Sequence, residues 1–249
     1  YIYSNYSSIC VKKRSNKNTY IRVKDDLKIQ KIKGIYNMQD IAECEQLFED
    51  TIMGDYPKYY LTEKEKELAD LNGMYAQRSF QMFVLYGRRR VGKTTLLNEF
   101  CKDKESIFYS AEQSNDKLNL EKFSSLVFQF YQESNLEPFS TWTNALSYIN
   151  ERQQEKKLVL VIDEFPYLVR KNRALLSELQ HLIDHKLKNG NLFIVLCGSY
   201  MGFMEKEVLG SKSPLFGRRT GQLHMKPFAY KTAVEFLDKF SDEDKLELY

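Results

Sequence analysis

Residues 87–95 have the types and the spacing of a loop that binds phosphate groups. In order they are Gly87, Arg88, Arg89, Arg90, Val91, Gly92, Lys93, Thr94 and Thr95. The first eight fit the pattern G-x-x-x-x-G-K-[ST], whose glycines let successive backbone N–H groups face an anion. Lys93 is placed to reach the β and γ phosphates of a nucleotide, and the Thr94 hydroxyl is a ligand for Mg²⁺. We therefore predict a nucleotide-binding loop with a magnesium ligand.

A pair of carboxylates follows the strongest apolar run of the sequence. In "LVLVIDE" five apolar residues, 158–162, precede Asp163 and Glu164. A nucleotide hydrolase needs a carboxylate at the end of a neighbouring strand to hold the magnesium shell. We predict that Asp163 ligates Mg²⁺ and that Glu164 orients and deprotonates the attacking water. The alternative is an acidic boundary between a strand and a turn.

A serine closes the next apolar run, "FIVLCGS", at position 199. The carboxyl ends of parallel strands meet at one edge of the sheet, so we expect Ser199 beside the catalytic centre. Its hydroxyl is placed there to hydrogen-bond the γ-phosphate or the attacking water. A turn serine with locally satisfied hydrogen bonds is an equal alternative.

Two arginines, Arg218 and Arg219, precede the last predicted strand in "SPLFGRRTGQL". The planar guanidinium group pairs phosphate oxygens in two places and spreads the charge of a transition state. One of the two arginines is a candidate arginine finger on the nucleotide of a neighbouring subunit, which would require self-association. A structural salt bridge is the alternative.

Strands and helices alternate behind these residues. The predicted strands cover roughly 80–86, 106–111, 157–163, 191–198 and 221–228. The predicted helices cover 38–52, 62–76, 93–103, 117–134, 141–154 and 172–188. Because the strands are continuous apolar runs, they are typical of a parallel sheet with helices on both faces. We predict a five-stranded α/β sandwich of three layers.

Charge divides the chain into segments. Residues 1–37 hold nine basic and two acidic residues, whereas the rest holds 28 basic and 32 acidic residues. We expect a basic, poorly ordered leader over 1–37, a helical segment over 38–79 and an ATPase-like core over 80–235. Short strands at "TYIRV" and "LKIQKIKGI", and a nucleic-acid-binding arm, are alternatives for the leader. The chain begins with Tyr1, and Met38 is a candidate start of the native protein.

Several other classes of protein lack support in the sequence. The four cysteines are scattered without metal-ligand spacing, so we expect a reduced, cytoplasmic protein, and no run is long enough to cross a membrane. His181 and His185 form H-x-x-x-H without the glutamate of a zinc protease, and we assign no chemistry to His224. No Ser-His-Asp set has a recognisable context. We expect Trp142 in the core and Cys197 as a buried thiol.

With these motifs the chain resembles the prokaryotic family called archaeal ATPases, in the AAA+/STAND group of P-loop NTPases. The resemblance covers about residues 60–235. It is carried by the stretches "LYGRRRVGKTTLLNEF", "LVLVIDEFPYL", "LFIVLCGSYMGFME" and "SPLFGRRTGQLHMKPF". It implies an ATP-binding core with strand order 5-1-4-3-2, the same roles for Lys93, Thr94, Asp163 and Glu164, and Ser199 as a polar sensor.

The sequence also departs from the pattern of this family. Relatives carry a glycine-arginine pair where this chain has Thr62 and Glu63, and they continue into a helical lid where it ends at "DEDKLELY". The resemblance makes 236–249 the start of that lid. It implies a Mg²⁺-dependent ATPase that couples hydrolysis to a conformational change and acts on an unknown protein partner. The alternative is a nucleotide-gated regulatory module with negligible turnover, associated with DNA through further C-terminal domains.

Overall fold

A five-stranded parallel sheet with helices on both faces organises residues 66–226, which form one compact unit. The computed structural model describes residues 9–14, 17–22, 64–134, 136–153 and 156–227. The strands of the sheet are β3 (Gln81–Tyr86), β4 (Ser106–Ser110), β5 (Leu158–Asp163), β6 (Leu192–Gly198) and β7 (Gly221–His224). All five predicted strands are therefore present, each within a few residues of the expected bounds.

The spatial order of the strands is β4-β5-β6-β3-β7, with every neighbouring pair parallel. Numbered within this sheet alone, the order is 2-3-4-1-5, which is the predicted order 5-1-4-3-2 in the opposite direction. The prediction of a P-loop NTPase sheet is thus confirmed. The strand that ends at Asp163 lies beside the strand that leads to Ser199, and that strand lies beside the one that leads to Gly87.

Burial explains why the middle strands are apolar throughout. Every residue of β3, β5 and β6 is buried, whereas β4 and β7 at the two edges are partly exposed. A strand that is covered on both faces leaves no position for a polar side chain, so its sequence does not alternate. The carboxyl ends of these buried strands are where the polar residues begin.

Eight helical segments of the described chain surround the sheet, and one of them is a 3-10 helix at Leu187–Asn189. The α-helices are α1 (Glu65–Tyr75), α2 (Lys93–Cys101), α3 (Asp116–Phe130), α4 (Trp142–Arg152), α5 (Pro166–Lys171) and α6 (Leu175–His185). A helical stretch over 201–208 follows β6 and ends in a π-helix. Side-chain caps start α3 and α4, since Asn115 accepts from the Leu118 N–H and Thr141 from the Asn144 N–H.

The region after Glu164 differs from its prediction. One helix was expected over 172–188, but the structure has α5 first, then an extended Asn172, and then α6. Helix α5 is six residues long and begins with Pro166, which suits the first turn of a helix. A helix this short completes fewer than two turns, so it has no apolar period by which a sequence reveals it.

Aromatic side chains fill the core between α3, α4 and the sheet. Trp142 is buried, and its ring lies 5.1 Å from that of Phe123 and 6.2 Å from that of Tyr109. The Trp142 indole N–H donates to Asp116 at 2.9 Å, which satisfies its polar atom. The predictions of a core Trp142 and a buried Cys197 are both confirmed.

Outside residues 66–226 the structure describes little more than one hairpin. Strand β1 (Ile9–Arg14) pairs antiparallel with β2 (Lys17–Arg22), and Arg14 lies opposite Lys17. Strand β2 covers most of the predicted strand "TYIRV", whereas "LKIQKIKGI", the predicted helix 38–52 and the predicted lid 236–249 lie outside the described residues. No described helix combines the length and the apolar character that a membrane span requires.

Candidate nucleotide-binding site

The loop between β3 and α2 has a backbone that its glycines make possible. A Cβ on Gly87 would lie 2.2 Å from the Met225 carbonyl oxygen, so only glycine fits against the end of β7. Gly92 has φ 89° and Arg90 has φ 62°, both in the left-handed region. The loop therefore curls tightly before Lys93 begins α2. Val91 in the loop and Thr95 in the first turn of α2 are both half-buried.

Lys93 is buried beneath the loop, and its ammonium group faces backbone oxygens. Its Nζ donates to the carbonyl oxygens of Gly87 at 3.0 Å and of Arg88 at 2.8 Å. Burial lowers the pKa of Lys93, and the neighbouring carboxylates Glu164 and Asp163 oppose that shift. The lysine is thus a desolvated cation inside the curl of the loop, which is where a phosphate chain would be held.

Thr94 and Asp163, the two predicted magnesium ligands, face each other. The Thr94 hydroxyl donates to Asp163 Oδ2 at 3.2 Å, although the two residues are 69 positions apart. The other carboxylate oxygen of Asp163 accepts from the backbone N–H of Glu164 at 2.9 Å. Burial, with Asp163 nearby, raises the pKa of Cys197 well above its ordinary value, so this neighbour stays a neutral thiol.

Glu164 lies beside this pair on a strained turn. Its φ of 51° is unusual for a residue with a side chain, and it turns the chain from β5 into α5. Its carboxylate accepts from the Ser199 hydroxyl at 2.5 Å and from the Ser199 backbone N–H at 3.4 Å. Ser199 therefore contacts the predicted base directly.

A cavity of about 350 Å³ opens in front of Glu164 and Ser199. Arg89 of the loop lines it, as does Tyr167 of α5. The Arg89 guanidinium donates to the Tyr167 hydroxyl at 2.6 Å. Sequence analysis did not single out Tyr167. Its only signal is its place in "DEFPYL", three residues after Glu164.

The two arginines before β7 are held away from this cavity. Arg218 donates to both carboxylate oxygens of Asp184, at 2.9 and 2.6 Å, and also to the carbonyl oxygens of Pro214 and Phe216. The Arg218 hydrogen bonds lower the pKa of Asp184. Arg219 donates to the Leu209 carbonyl at 3.3 Å. The structure thus gives Arg218 the salt bridge that was the structural alternative.

Each of the three histidines stacks on another aromatic ring. The rings of His181 and His185 stack on α6 with their centroids 6.0 Å apart. His224 stacks on Tyr86, with the two ring centroids 4.8 Å apart. Within residues 64–227, apart from the undescribed positions 135, 154 and 155, no group of three or more His, Cys, Asp or Glu side chains could hold a metal ion.

Two known proteins are similar to this chain over about three quarters of its length. The chain is 32% identical over 190 residues to the uncharacterized protein MJECL04 of Methanocaldococcus jannaschii, a match that covers 75% of this chain and 40% of that protein. Among solved structures it resembles the Walker-type ATPase PABY2304 of Pyrococcus abyssi, with 26% identity and a TM-score of 0.51. That likeness covers 71% of this chain and 57% of the other.

Two further solved structures share the fold at lower identity. The ORC1 protein of Aeropyrum pernix, solved in complex with DNA, gives 17% identity and a TM-score of 0.51 over 74% of this chain and 49% of that one. CDC6P of Pyrobaculum aerophilum gives 17% identity and a TM-score of 0.52, and that likeness covers 75% of this chain and 50% of the other. This chain therefore spans about half the length of the relatives it matches.

A family model described as "ATPase domain predominantly from Archaea" matches residues 61–248, about three quarters of the chain. That range contains the phosphate loop, the carboxylate pair and Ser199. The resemblance seen in the sequence is confirmed, and the chain belongs to this family of archaeal ATPase domains.

Proposed function

We propose that this domain binds ATP with Mg²⁺ and hydrolyses it to ADP and phosphate. The observation that carries the proposal is the meeting of Thr94, Asp163 and Glu164 at one edge of the sheet. The Thr94 hydroxyl lies 3.2 Å from Asp163, and Glu164 is bonded to the same carboxylate through its backbone. Lys93 lies in the adjoining turn of the loop, with its charge close enough to interact with both acids.

The donor set beside the loop suits Mg²⁺. This ion prefers oxygen ligands, keeps several waters and usually takes only one or two protein ligands together with phosphate oxygens. One hydroxyl and one carboxylate, from Thr94 and Asp163, match that requirement. When bound, the ion would neutralise charge on the β and γ phosphates.

The reaction assigned to the site is attack of water on the γ-phosphorus. The new P–O bond forms as the bond to the β-phosphate oxygen breaks, so ADP leaves and inorganic phosphate is produced. Glu164 accepts the proton of the attacking water. Ser199 holds the carboxylate of Glu164 in place through its hydroxyl. Lys93 and the loop N–H groups bind the phosphates.

We infer that nucleotide state is coupled to the shape of the domain. The turn that carries Glu164 continues directly into α5, and Tyr167 of α5 bonds to Arg89 of the loop. A change at the phosphates would therefore reach both the loop and α5. The target on which such a change acts, including any protein partner or neighbouring subunit, stays a prediction.

Steady-state phosphate release is the direct test. The chain should release phosphate from ATP in the presence of Mg²⁺ and stop when EDTA removes the ion. Lys93→Ala provides the background of contaminating ATPases. Phosphate release equal to that background, at saturating ATP and Mg²⁺, would contradict the proposed hydrolysis.

One observation favours a second candidate, a nucleotide-gated module with negligible turnover. Both oxygens of Glu164 are engaged by Ser199, at 2.5 and 3.4 Å, so the carboxylate is occupied by the protein. Nucleotide that binds at micromolar concentration without phosphate release would support this candidate. The same assay, run beside equilibrium ATP binding, therefore separates the two.

Binding of nucleic acid and location in the cytoplasm stay predictions. The basic excess lies in residues 1–37, of which the structure describes only the backbone of β1 and β2. Titration of labelled DNA at two salt concentrations tests the first, because phosphate contacts weaken steeply as salt rises.

A further inference from the structure

We propose that Arg89 is the transition-state arginine of this site, acting within its own chain, and that Tyr167 is its positioning residue. This inference rests on the proposed ATP hydrolysis. It assigns a role to a residue in a variable position of the loop, where the motif itself requires no particular side chain.

The first step of the argument is the place of Arg89 in the loop. It lies between Gly87, which the end of β7 packs against, and the left-handed Arg90. It shares this tight loop with the buried Lys93, whose ammonium group donates to the carbonyl oxygens of Gly87 and Arg88. An anion bound close to both Arg89 and Lys93 would offset the repulsion between their positive charges.

The second step is the direction in which Arg89 is held. Its guanidinium donates to the Tyr167 hydroxyl at 2.6 Å, and Arg89, Glu164 and Ser199 line one cavity of about 350 Å³. Arg89 therefore lies on the side of the loop that faces the proposed base. Charge that develops on the γ-phosphoryl oxygens during attack would form in this space.

The third step is the link between Tyr167 and Glu164. The Tyr167 backbone N–H donates to the Glu164 carbonyl at 2.9 Å, in the turn that starts α5. The same turn therefore positions both Glu164, the proposed base, and Tyr167, which bonds to Arg89. A single bond to the hydroxyl leaves guanidinium N–H groups able to donate to phosphoryl oxygens.

Three other arginines are less suited to this role. Arg218 is bonded twice to Asp184, Arg219 bonds to the Leu209 carbonyl, and neither is among the described residues that line this cavity. Arg170 also lines it, with its guanidinium 4.3 Å from the ring of Tyr200, another lining residue, but Arg170 lies on α5 and not on the phosphate loop. Arg89 is therefore the arginine that the geometry favours for the reacting phosphate. It forms no covalent bond and transfers no proton.

The test uses the full chain and compares Arg89→Ala with Tyr167→Phe. We expect Arg89→Ala to lower kcat by roughly 100-fold, since removal of a transition-state donor costs about that much. The KM for ATP should change by less than about 3-fold. Tyr167→Phe should lower kcat by only about 5-fold, because it removes one hydrogen bond and keeps the guanidinium. Arg173→Ala, which removes an exposed arginine between α5 and α6, is the matched control.

A second readout does not depend on turnover. Aluminium fluoride with ADP mimics the transferring phosphoryl group, and a transition-state contact strengthens binding of that mimic more than binding of ADP. Equilibrium titration of fluorescent ADP, with and without aluminium fluoride, should show tightening in the wild type and in Arg173→Ala. The tightening should be lost in Arg89→Ala, with binding of ADP alone unchanged.

The outcomes separate failure of this inference from failure of the proposed function. If the wild type hydrolyses ATP and Arg89→Ala does so equally, the role of Arg89 is overturned while the ATPase stands. Equal losses of kcat in Arg89→Ala and Tyr167→Phe would also overturn it. They would show that the Arg89–Tyr167 hydrogen bond matters for the shape of the cavity and that the guanidinium adds nothing in the transition state. A wild type no faster than Lys93→Ala removes both proposals.

Two further measurements complete the test. If Arg89→Ala does not fold, Arg89→Lys keeps the charge without the planar fork and should still lose most of the aluminium fluoride effect. Wild-type behaviour of Arg89→Lys in both readouts would count against the proposal. Because Arg89 acts in its own chain, kcat should be independent of protein concentration. A kcat that rises with concentration would instead favour an arginine from a neighbouring subunit.

Discussion

The turn after β5 and the loop before β7 carry opposite charges and hold them in different ways. Asp163 and Glu164 lie at the carboxyl edge of the sheet, where they bond to Thr94 and Ser199. Arg218, in the loop before β7, is paired by two hydrogen bonds with Asp184 of α6. The acids are thus joined to residues of the proposed reaction, whereas the arginine is neutralised by a partner outside it.

This difference shows why some charged residues contact the proposed reaction site while others form structural salt bridges. An acid at the end of a buried strand has no room to pair by chance, so its partners are those that the sheet brings to the same edge. An arginine in a surface loop can reach a carboxylate on the nearest helix. Substitutions at the turn after β5 should therefore change turnover, whereas substitution of Arg218 should change the stability of the fold.

The largest effect on nucleotide binding is expected from Lys93→Ala, on the loop side of the site. Loss of the ammonium group should weaken ATP binding by roughly 100-fold, because a charge-assisted hydrogen bond contributes about 1.5–3 kcal/mol. Isothermal titration with ATP and Mg²⁺ measures it. Lys102→Ala is the matched control, since that side chain is 73% exposed beyond the end of α2. Unchanged binding in Lys93→Ala would mean that the loop does not hold the phosphates.

Glu164→Gln should separate binding from turnover. The amide has the same shape and can still bond to Ser199, but it cannot take a proton from water. We expect ATP binding within about 3-fold of the wild type and kcat lower by roughly 100- to 10,000-fold. Rapid-quench measurement of a single turnover checks it. Retained turnover in this variant would remove the assignment of Glu164 as the base.

Much of this site could be predicted because it is encoded locally. The loop pattern lies within eight consecutive residues, and Asp163 and Glu164 directly follow a run whose burial its apolar composition reveals. Helices alternate with continuous apolar strands along the chain, and this local pattern indicated a parallel sheet. The order of the strands in that sheet came from the resemblance to a family. The structure brings Lys93, Thr94, Asp163 and Glu164 close together, and their roles toward a nucleotide stay predictions.

The individual hydrogen bonds of Arg89 and Ser199 could not be predicted in this way, although Ser199 was expected beside the catalytic centre. The Arg89–Tyr167 bond joins residues 78 positions apart, and the Ser199–Glu164 bond joins residues 35 positions apart. Neither leaves a pattern in the sequence, because the sheet order alone brings the partners together. The pairing of Arg218 with Asp184 was open for the same reason, since both a finger and a salt bridge require only an arginine at that position.

Ser199→Ala should change kcat moderately, and the direction of the change shows whether Ser199 positions Glu164 or restrains it. If the Ser199 hydroxyl positions Glu164, its loss should lower kcat about 10-fold, the worth of one hydrogen bond to a charged group. Ser199→Thr, which keeps a hydroxyl, should restore most of the activity. Phosphate release measures both variants. A rise in kcat in Ser199→Ala would show that the bond restrains the base, and it would strengthen the nucleotide-gated candidate.

The smallest effect is expected from Arg218→Ala, and it should appear in stability. The pair with Asp184 is partly exposed, with 24% and 32% of the two side chains accessible, so its loss should cost about 1 kcal/mol or less. For a domain of this size that lowers Tm by roughly 2–4 °C. Thermal unfolding followed by circular dichroism measures it. We expect kcat to stay near the wild-type value.

The pH dependence of that loss identifies the salt bridge as its cause. Arg218 lowers the pKa of Asp184 in the folded state, so the stabilisation is present above the unfolded value of roughly 4 and is lost as pH falls through the folded pKa. The difference in Tm between the wild type and Arg218→Ala should therefore shrink below about pH 4. A difference that is the same at pH 7 and in acid would point to the carbonyl bonds of Arg218 instead.

A mixing experiment decides between a structural Arg218 and a finger that acts on a neighbour. Arg218→Ala subunits have an intact site but no finger, whereas Glu164→Gln subunits have the finger but no base. If Arg218 acts on the nucleotide of another subunit, Arg218→Ala alone should be inactive and the mixture should regain phosphate release. If the pair with Asp184 is structural, Arg218→Ala should be active alone, and the mixture should equal the sum of its parts. We expect the second result, because an arginine bonded twice to a carboxylate must break that pair before it can reach another chain.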